Sequence, residues 1–241
     1  MLEKIEKFQI LLLGLLLALG AIISTAIFAN TMSKDVITVT GSYSQEVTSD
    51  KGKFDFYINS REATRAKSYA VLNKQIPEIE KYLISKGFKK ENIDINPING
   101  YEVYDVAPNG SSTNKIVAYN ASQMISVKSN DVKKVKKVST EIYDLAQRGI
   151  EVSSSNAEYY YSKLSDLKVE MLEKASKDAK HRASAMLKAT RNKVGKIQSL
   201  QMGVFQITPV ESTNVSDYGL NDTSSIQKKI TAVANVTFRV K

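Results

Sequence analysis

An uncharged run of 22 residues, opening at Phe8 and closing at Ala29 with a single Gln inside it, constrains this chain more than any other feature. Wound as an α-helix at ~1.5 Å per residue it reaches ~33 Å. That is enough to cross a hydrocarbon core of ~30 Å. The competing reading is a cleaved secretory signal, whose apolar region is usually only ~7–15 residues and ends in a small-x-small site. Ser24-Thr25-Ala26 would serve as such a site, but the apolar run continues through Ile27 and Phe28, which favours an uncleaved anchor. Both readings export the remainder of the chain. The protein therefore divides into residues 1–30, an anchor or signal, and residues 31–241, an extracytoplasmic body. Flanking charge does not help, because Glu3, Lys4, Glu6 and Lys7 cancel. The expected location is the cell membrane, single-pass, with the body in the periplasm or at the cell exterior.

Since residues 1–30 sum to zero, the whole net charge of +9 sits on the body. A Lys-rich surface keeps a protein soluble, and it also suits anionic membrane surfaces and envelope polymers. No nucleic-acid partner is expected. With 42% hydrophobic residues, 11 Gly and 4 Pro, the chain has enough apolar material for a packed core. One His and no Cys exclude thiol catalysis, Cys-ligated zinc, iron–sulfur clusters and sites built on two histidines. No metal or cofactor is expected.

The body reads as strands and helices in alternation. Val36 to Thr40 and Phe54 to Ile58 are β-rich runs, and Asp50-Lys51-Gly52 between them predicts a first hairpin. From residue 62 to 86 the apolar positions Ala63, Ala66, Ala70, Ile76, Ile79 and Leu83 fall at helical spacing, with Gly87 as the stop and Pro77 as a kink or break. Residues 93–104 and 116–127 predict a second hairpin with a polar tip around Pro108-Asn109-Gly110. Ser129-Asn130-Asp131 starts a helix with the stripe Val132, Val135, Val138, Ile142, Leu145 and Ala146, ending at Gly149. Residues 150–161 are strand-like. A long Ala- and Lys-rich helix then runs from Leu164 to about Asn192, with Leu164, Leu167, Met171, Ala175, Ala179, Ala183, Met186 and Leu187 on one side. Strands at 194–207 and 227–240 close the chain, and the polar residues 208–225 between them predict a mobile loop or a contact arm. The order ββαββ-αβαββ after a transmembrane helix predicts an α+β fold of antiparallel sheets with packed helices.

Several short signatures in this order resemble the SIMPL family of bacterial envelope proteins, the periplasmic immunogenic proteins among them. Ile37-Thr38-Val39-Thr40-Gly41 is similar to that family's opening strand, I-x-V-x-G. Ala63, Ala66, Asn73 and Leu83-Ile84-Ser85-Lys86-Gly87-Phe88 resemble its first helix and its Leu-x-x-x-Gly-apolar ending. Ile93, Ile95, Tyr101 and Tyr104 look like its strand leading to an aromatic-rich segment. Ile116-Val117-Ala118-Tyr119-Asn120-Ala121 is similar to its I-x-G-Y-x-A, with Ala118 where Gly is usual. Ala175, Ala179 and Ala183, followed by Val194-Gly195-Lys196-Ile197, resemble its Ala-every-four helix and closing turn. Many members carry Pro-Asp between the first two strands, where this chain has Ser49-Asp50-Lys51-Gly52. The resemblance spans about residues 36–241. It implies an extracytoplasmic α+β protein, often a homo-oligomeric ring, linked to envelope and oxidative stress, and it supplies no catalytic residue.

Direct inspection for chemistry agrees with that silence. His181, between Asp178 and Arg182 on the long helix, reads as a solvated or packing residue, because acid–base work needs a placed partner and a pocket. Gly110 to Lys115 lacks the second Gly of a phosphate cradle. Asp94, Glu102 and Asp105 share one strand and its end and read as surface charges. Lys133, Lys134, Lys136 and Lys137 form a solvated helix face or a contact for an anionic partner. Tyr159, Tyr160 and Tyr161 stand for sheet packing or for an interface. The expectation is a non-enzymatic, self-assembling envelope scaffold. The alternative is an exported binding module for an anionic wall polymer or lipid head group.

Overall fold

The computed structural model describes residues 2–32 and 35–241. Its first element, α1 (Leu2–Met32), is one helix. Within it the stretch Leu11–Ala29 has mean hydropathy 2.6 and is long and apolar enough to cross a membrane. Side chains 11–29 are exposed on the protein, and so continuous an apolar surface marks an interaction site.

After it come β1 (Val36–Thr48), β2 (Lys51–Glu62), α2 (Arg65–Ser85), β3 (Ile93–Val106), β4 (Ser112–Ser129), α3 (Val132–Glu141), β5 (Val152–Tyr160), α4 (Leu164–Lys188), β6 (Val194–Met202), β7 (Gln206–Pro209), β8 (Leu220–Asn221) and β9 (Gln227–Val240). The strands form a four-stranded sheet ordered β3-β4-β2-β5 and a five-stranded sheet ordered β1-β9-β7-β8, with β6 also paired to β9. All these pairings for which a register is defined are antiparallel except β7 with β8. The fold is α+β. The chain divides into two compact units, one of residues 1–43, 169–204 and 232–241, the other of residues 44–168 and 205–231.

The larger unit is built on the four-stranded sheet. Along β2 the residues Gly52, Phe54, Phe56, Ile58 and Ser60 alternate with more exposed neighbours, so the strand turns one apolar face inward. Helix α2 starts at Thr64, whose hydroxyl accepts from the Lys67 amide, and buries Ser68, Leu72, Ile79, Tyr82 and Leu83. Its end is a Schellman motif: the Gly87 amide donates to Ile84 and the Phe88 amide to Leu83, with Gly87 at φ +85°. Phe88 then packs edge-on against Phe54 at 5.8 Å between centroids. Helix α3 is capped by Asp131, whose carboxylate accepts from the Lys134 amide at 2.9 Å. It buries Val132, Val135 and Val138.

In the smaller unit, α4 buries Met171, Ala175, Ala179 and Ala183 completely. Small side chains there admit a strand at backbone distance. A Cβ added to Gly41 would overlap the Ala175 carbonyl oxygen and the Ala179 nitrogen, and would stand 2.7 Å from the Ala179 Cβ. The Ser42 amide next door donates to the Asp178 carboxylate at 2.9 Å. Lys174 reaches over the Tyr43 ring at 4.6 Å and donates to its hydroxyl. Thr38 and Thr40 meet Thr237 and Asn235 of β9 through their side chains.

The second hairpin, the β5 strand, the long α4 helix and the glycine stops at Gly87 and Gly149 match the sequence reading. Five expectations do not. First, β1 and β2 form no hairpin; only Ser49 and Asp50 separate them, yet they belong to different sheets. Those two residues bind elsewhere: Ser49 donates its amide to Ile226, Asp50 donates its own to Tyr160, and the Asp50 carboxylate accepts from the amide and hydroxyl of Ser162. Second, of the kink or break expected at Pro77 there is no break, since α2 runs through it as one helix. Helices in proteins are held mainly by their packed face, and Leu72, Ile79 and Leu83 anchor this one on both sides of the proline. Third, Ala66 and Ala70 are exposed and Ala63 precedes the helix, because Leu72, Ile79 and Leu83 choose the buried face and bring Ser68 onto it. Fourth, Ala146 is exposed, since residues Ile142–Arg148 wind as a 3₁₀ helix whose three-residue turns align Ile142 with Leu145 and rotate Ala146 away. Fifth, on α4 Met186 is likewise exposed and Leu164 only partly covered.

Two substitutions test this packing by urea unfolding. Gly41→Val should lower stability by about 3 kcal/mol or more, at the upper end of overpacking costs because backbone is the obstacle. Pro77→Ala, at an exposed position, should raise it by up to about 3 kcal/mol by restoring the amide that donates to Asn73.

Candidate functional site

In the larger unit, four segments distant in sequence converge at one end of the four-stranded sheet. They are the start of β2, the turn after α2, the end of β4 running into α3, and the last residue of β5. Together they line a cavity of about 670 Å³ that includes Lys51, Lys53, Lys89, Lys128 and Lys134, against two carboxylates, Glu91 and Asp131. Phe88 forms its apolar lining and is almost fully buried. Gly52 keeps the wall thin, since a Cβ there would stand 3.0 Å from a Val135 methyl.

The five lysines differ in how their charge is answered. Lys53 pairs with Asp55 at 2.6 Å, and that hydrogen bond holds its ammonium above the usual lysine range. Lys89 stands 3.5 Å from Glu91 with both side chains largely exposed, a pair that contributes little. Lys134 donates to the Gly87 carbonyl at 3.0 Å and lies 5.7 Å from the Phe88 ring centre, so its partners carry no formal charge. Lys51 and Lys128 have no ion-pair partner among the described residues. Asp131 is committed to its helix cap.

Of the residues singled out from sequence, Lys134 and Tyr160 are brought together in this cleft. Lys133 and Lys137 line a shallower concavity beside it with Lys86 and Glu141. There Glu141 pairs with Lys86 at 2.8 Å and Lys137 at 3.8 Å, and the Lys86 hydrogen bond pulls its carboxyl below the usual range. Lys136 is exposed and lines neither. Tyr159 belongs to the hydrophobic core, and its amide donates to Thr223 at 2.7 Å. Tyr160 is half-exposed; its hydroxyl donates to Glu158, which pushes its pKa up to about 12. His181 is exposed, and the Asp178 carboxylate near it is engaged by Ser42 and Arg182. Glu102 pairs with Arg65 at 2.9 Å and Asp105 with Lys115 at 3.8 Å. Sequence reasoning missed Lys51, Lys53, Lys89 and Lys128. No local pattern joins them; the strand order alone does.

Residues 208–225 are tied to their own unit. Gln206 bonds both the amide and the carbonyl of Ser216, and the Asp222 amide donates to Ile207. Lys228, only 2% exposed, donates to the Asp222 carbonyl and lies 3.4 Å from its carboxylate. Burial pushes the Asp222 carboxyl up, but hydrogen bonds from Ser224 and Ser225 and the Lys228 charge outweigh it and hold the pKa at about 2. Burial also pushes Lys228 down, against the pull of Asp222.

The signatures that suggested a family thus occupy working positions: Gly41 lies against Ala175 and Ala179, and Gly87 closes α2. The sequence profile described as SIMPL, protein of unknown function (DUF541), matches residues 37–239. The chain belongs to the SIMPL family. The match covers the whole of the larger unit and, in the smaller, everything from residue 37 to 239, leaving α1 outside it. No curated protein matches this SIMPL chain.

The Asp222–Lys228 contact makes a pH prediction. The folded pKa of about 2 lies below the ordinary 3.8, so the stability contributed is complete above about pH 4 and is lost as pH falls through about 2. Asp222→Asn should flatten that acid limb of the thermal-unfolding profile. At neutral pH it should also cost about 3 kcal/mol, because it leaves the buried Lys228 without its counter-charge.

Proposed function

We propose that this SIMPL protein is an exported, membrane-anchored and non-enzymatic envelope scaffold that assembles with copies of itself. The observation that carries the reading is the distal half of the β3–β4 hairpin, where Tyr101, Tyr104, Val106, Ile116 and Val117 all stand exposed. Strand alternation puts Tyr104 and Val106 on one face and Tyr101 on the other, so both faces of the hairpin end expose apolar side chains, and clustered exposed apolar surface marks interaction sites. In the strand order β3 is terminal, so its outer backbone edge is unpaired in the sheet, and such an edge is a template for another chain. A second copy of the same chain is the occupant favoured here, because closed homo-oligomers are the common outcome for self-complementary surfaces. The family resemblance to ring-forming envelope proteins points the same way. The 19-residue apolar stretch of α1 supports anchoring over a shorter cleaved signal.

Light scattering on the full chain in neutral detergent should give a discrete multiple of the protomer mass. Val106→Asp combined with Val117→Asp should reduce that multiple without changing the circular dichroism spectrum. A wild-type protomer that stays monomeric at micromolar concentration overturns the scaffold reading. N-terminal sequencing of the membrane fraction should find α1 retained; a chain beginning near Ile27 overturns the anchor.

A second reading, an exported module for an anionic envelope partner, is favoured by one observation. Five lysines gather on one cleft of the larger unit.

A further inference from the structure

We propose that the lysine cleft is a binding site for a ligand carrying paired phosphate groups, either a soluble diphosphate-type anion or a phospholipid head group. This rests on the reading of the protein as a module for an anionic partner and assigns it a place and a chemistry. The register of the sheet is the starting point. Lys53 of β2 and Lys128 of β4 are direct cross-strand partners, and like charges placed opposite one another destabilise a sheet. Lys53 is relieved, with Asp55 at 2.6 Å and Glu158 as its partner on β5. Lys128 has no such relief among the described residues. Lys51 at the rim has no ion pair among the described residues and interacts only with the charge of the neighbouring Asp50, whose carboxylate is bonded to Ser162, and Lys134 spends its hydrogen bond on the neutral Gly87 carbonyl. Three ammonium groups without an ion-pair partner among the described residues therefore line one cavity.

The chemistry of those groups narrows the ligand. Among the described residues the cleft is lined by lysines and by no arginine. An ammonium is a point charge on a flexible stem and suits a tetrahedral phosphate, whereas planar carboxylates are best met by the arginine fork. Set against the Asp131 carboxylate, the three ammonium groups leave a surplus of two positive charges, which a monoanion answers poorly. A volume of about 670 Å³ falls in the usual range for a small-molecule site. Asn92 and Asn130 also line it, and Phe88, almost fully buried, forms part of its wall. The Lys134–Gly87 bond holds the N-terminal turn of α3 against the turn that ends α2, so that wall is positioned before any ligand arrives.

The test uses the full chain in neutral-detergent micelles and calorimetric titration with two probes. Pyrophosphate represents a soluble source; bis(glycerophospho)glycerol, a deacylated diphosphate head group, represents a lipid source. Saturable binding of either probe, weakening as salt is raised, is expected, and the probe bound more tightly identifies the source. Lys51→Ala with Lys128→Ala should weaken it at least about tenfold, while Lys136→Ala should leave it unchanged. The single Lys128→Gln variant, at an exposed strand position, should show a smaller loss in the same direction and guards against a folding defect. Binding undiminished in both Lys51/Lys128 and Lys128 variants overturns this site and leaves the anion-binding reading standing. Binding of neither probe overturns both.

Discussion

Where β1 crosses α4 there is no room for a methyl group, and much of the smaller unit depends on that. Gly41 lets strand backbone lie against helix backbone at Ala175 and Ala179. The alanines at four-residue spacing keep one flat side on the helix over its length. Close approach then puts polar groups within reach of each other: the Ser42 amide finds Asp178, and the Tyr43 ring and hydroxyl find Lys174. A larger residue at any of the three small positions would separate all of these partners together. Two motifs far apart in the chain, the I-x-V-x-G strand and the Ala-every-four helix, are thus the two sides of one contact.

Elements whose burial is decided by local pattern are readable in the sequence. The α3 stripe, the β3–β4 hairpin with its polar tip, and the glycine-ended helices carry their own signals, because a valine every third or fourth residue or a glycine at φ above zero needs no information from elsewhere. Errors arise where a distant partner outweighs the local cue. Asp50-Lys51-Gly52 has the composition of a hairpin turn, yet Ser162, Tyr160 and Ile226 take up the hydrogen bonds a turn would have used. Alanines in α2 match the helical period but carry too little surface to outvote Leu72, Ile79 and Leu83. Pro77 removes one hydrogen bond from a helix held by its whole buried face.

The cleft is unreadable for a related reason. Lys134 stands out because it belongs to a run, and the run is its least informative property: its neighbours Lys133 and Lys137 share Glu141 or face solvent, while Lys134 alone turns toward Gly87. Lys51, Lys53, Lys89 and Lys128 look like ordinary solubilising charges. Their significance appears only once β2 is placed between β4 and β5, which sets Lys53 opposite both Lys128 and Glu158. Tyr159 shows the converse. In sequence it is one of three consecutive tyrosines, but strand alternation sends it into the core and leaves Tyr160 outside.

The pairing of β1 with β9 also sets an order of events during biosynthesis. Thr38 and Thr237 touch across 199 residues of sequence, and Thr40 and Asn235 across 195. A ribosome delivers the partner residues on β9 199 and 195 residues after those on β1, so β1 must wait, unpaired with β9, while that stretch is made. Contacts of such long range are slow to form, and a waiting strand with open amides is prone to mispairing. Folding of the smaller unit is in this sense delayed by topology until β9 has been made.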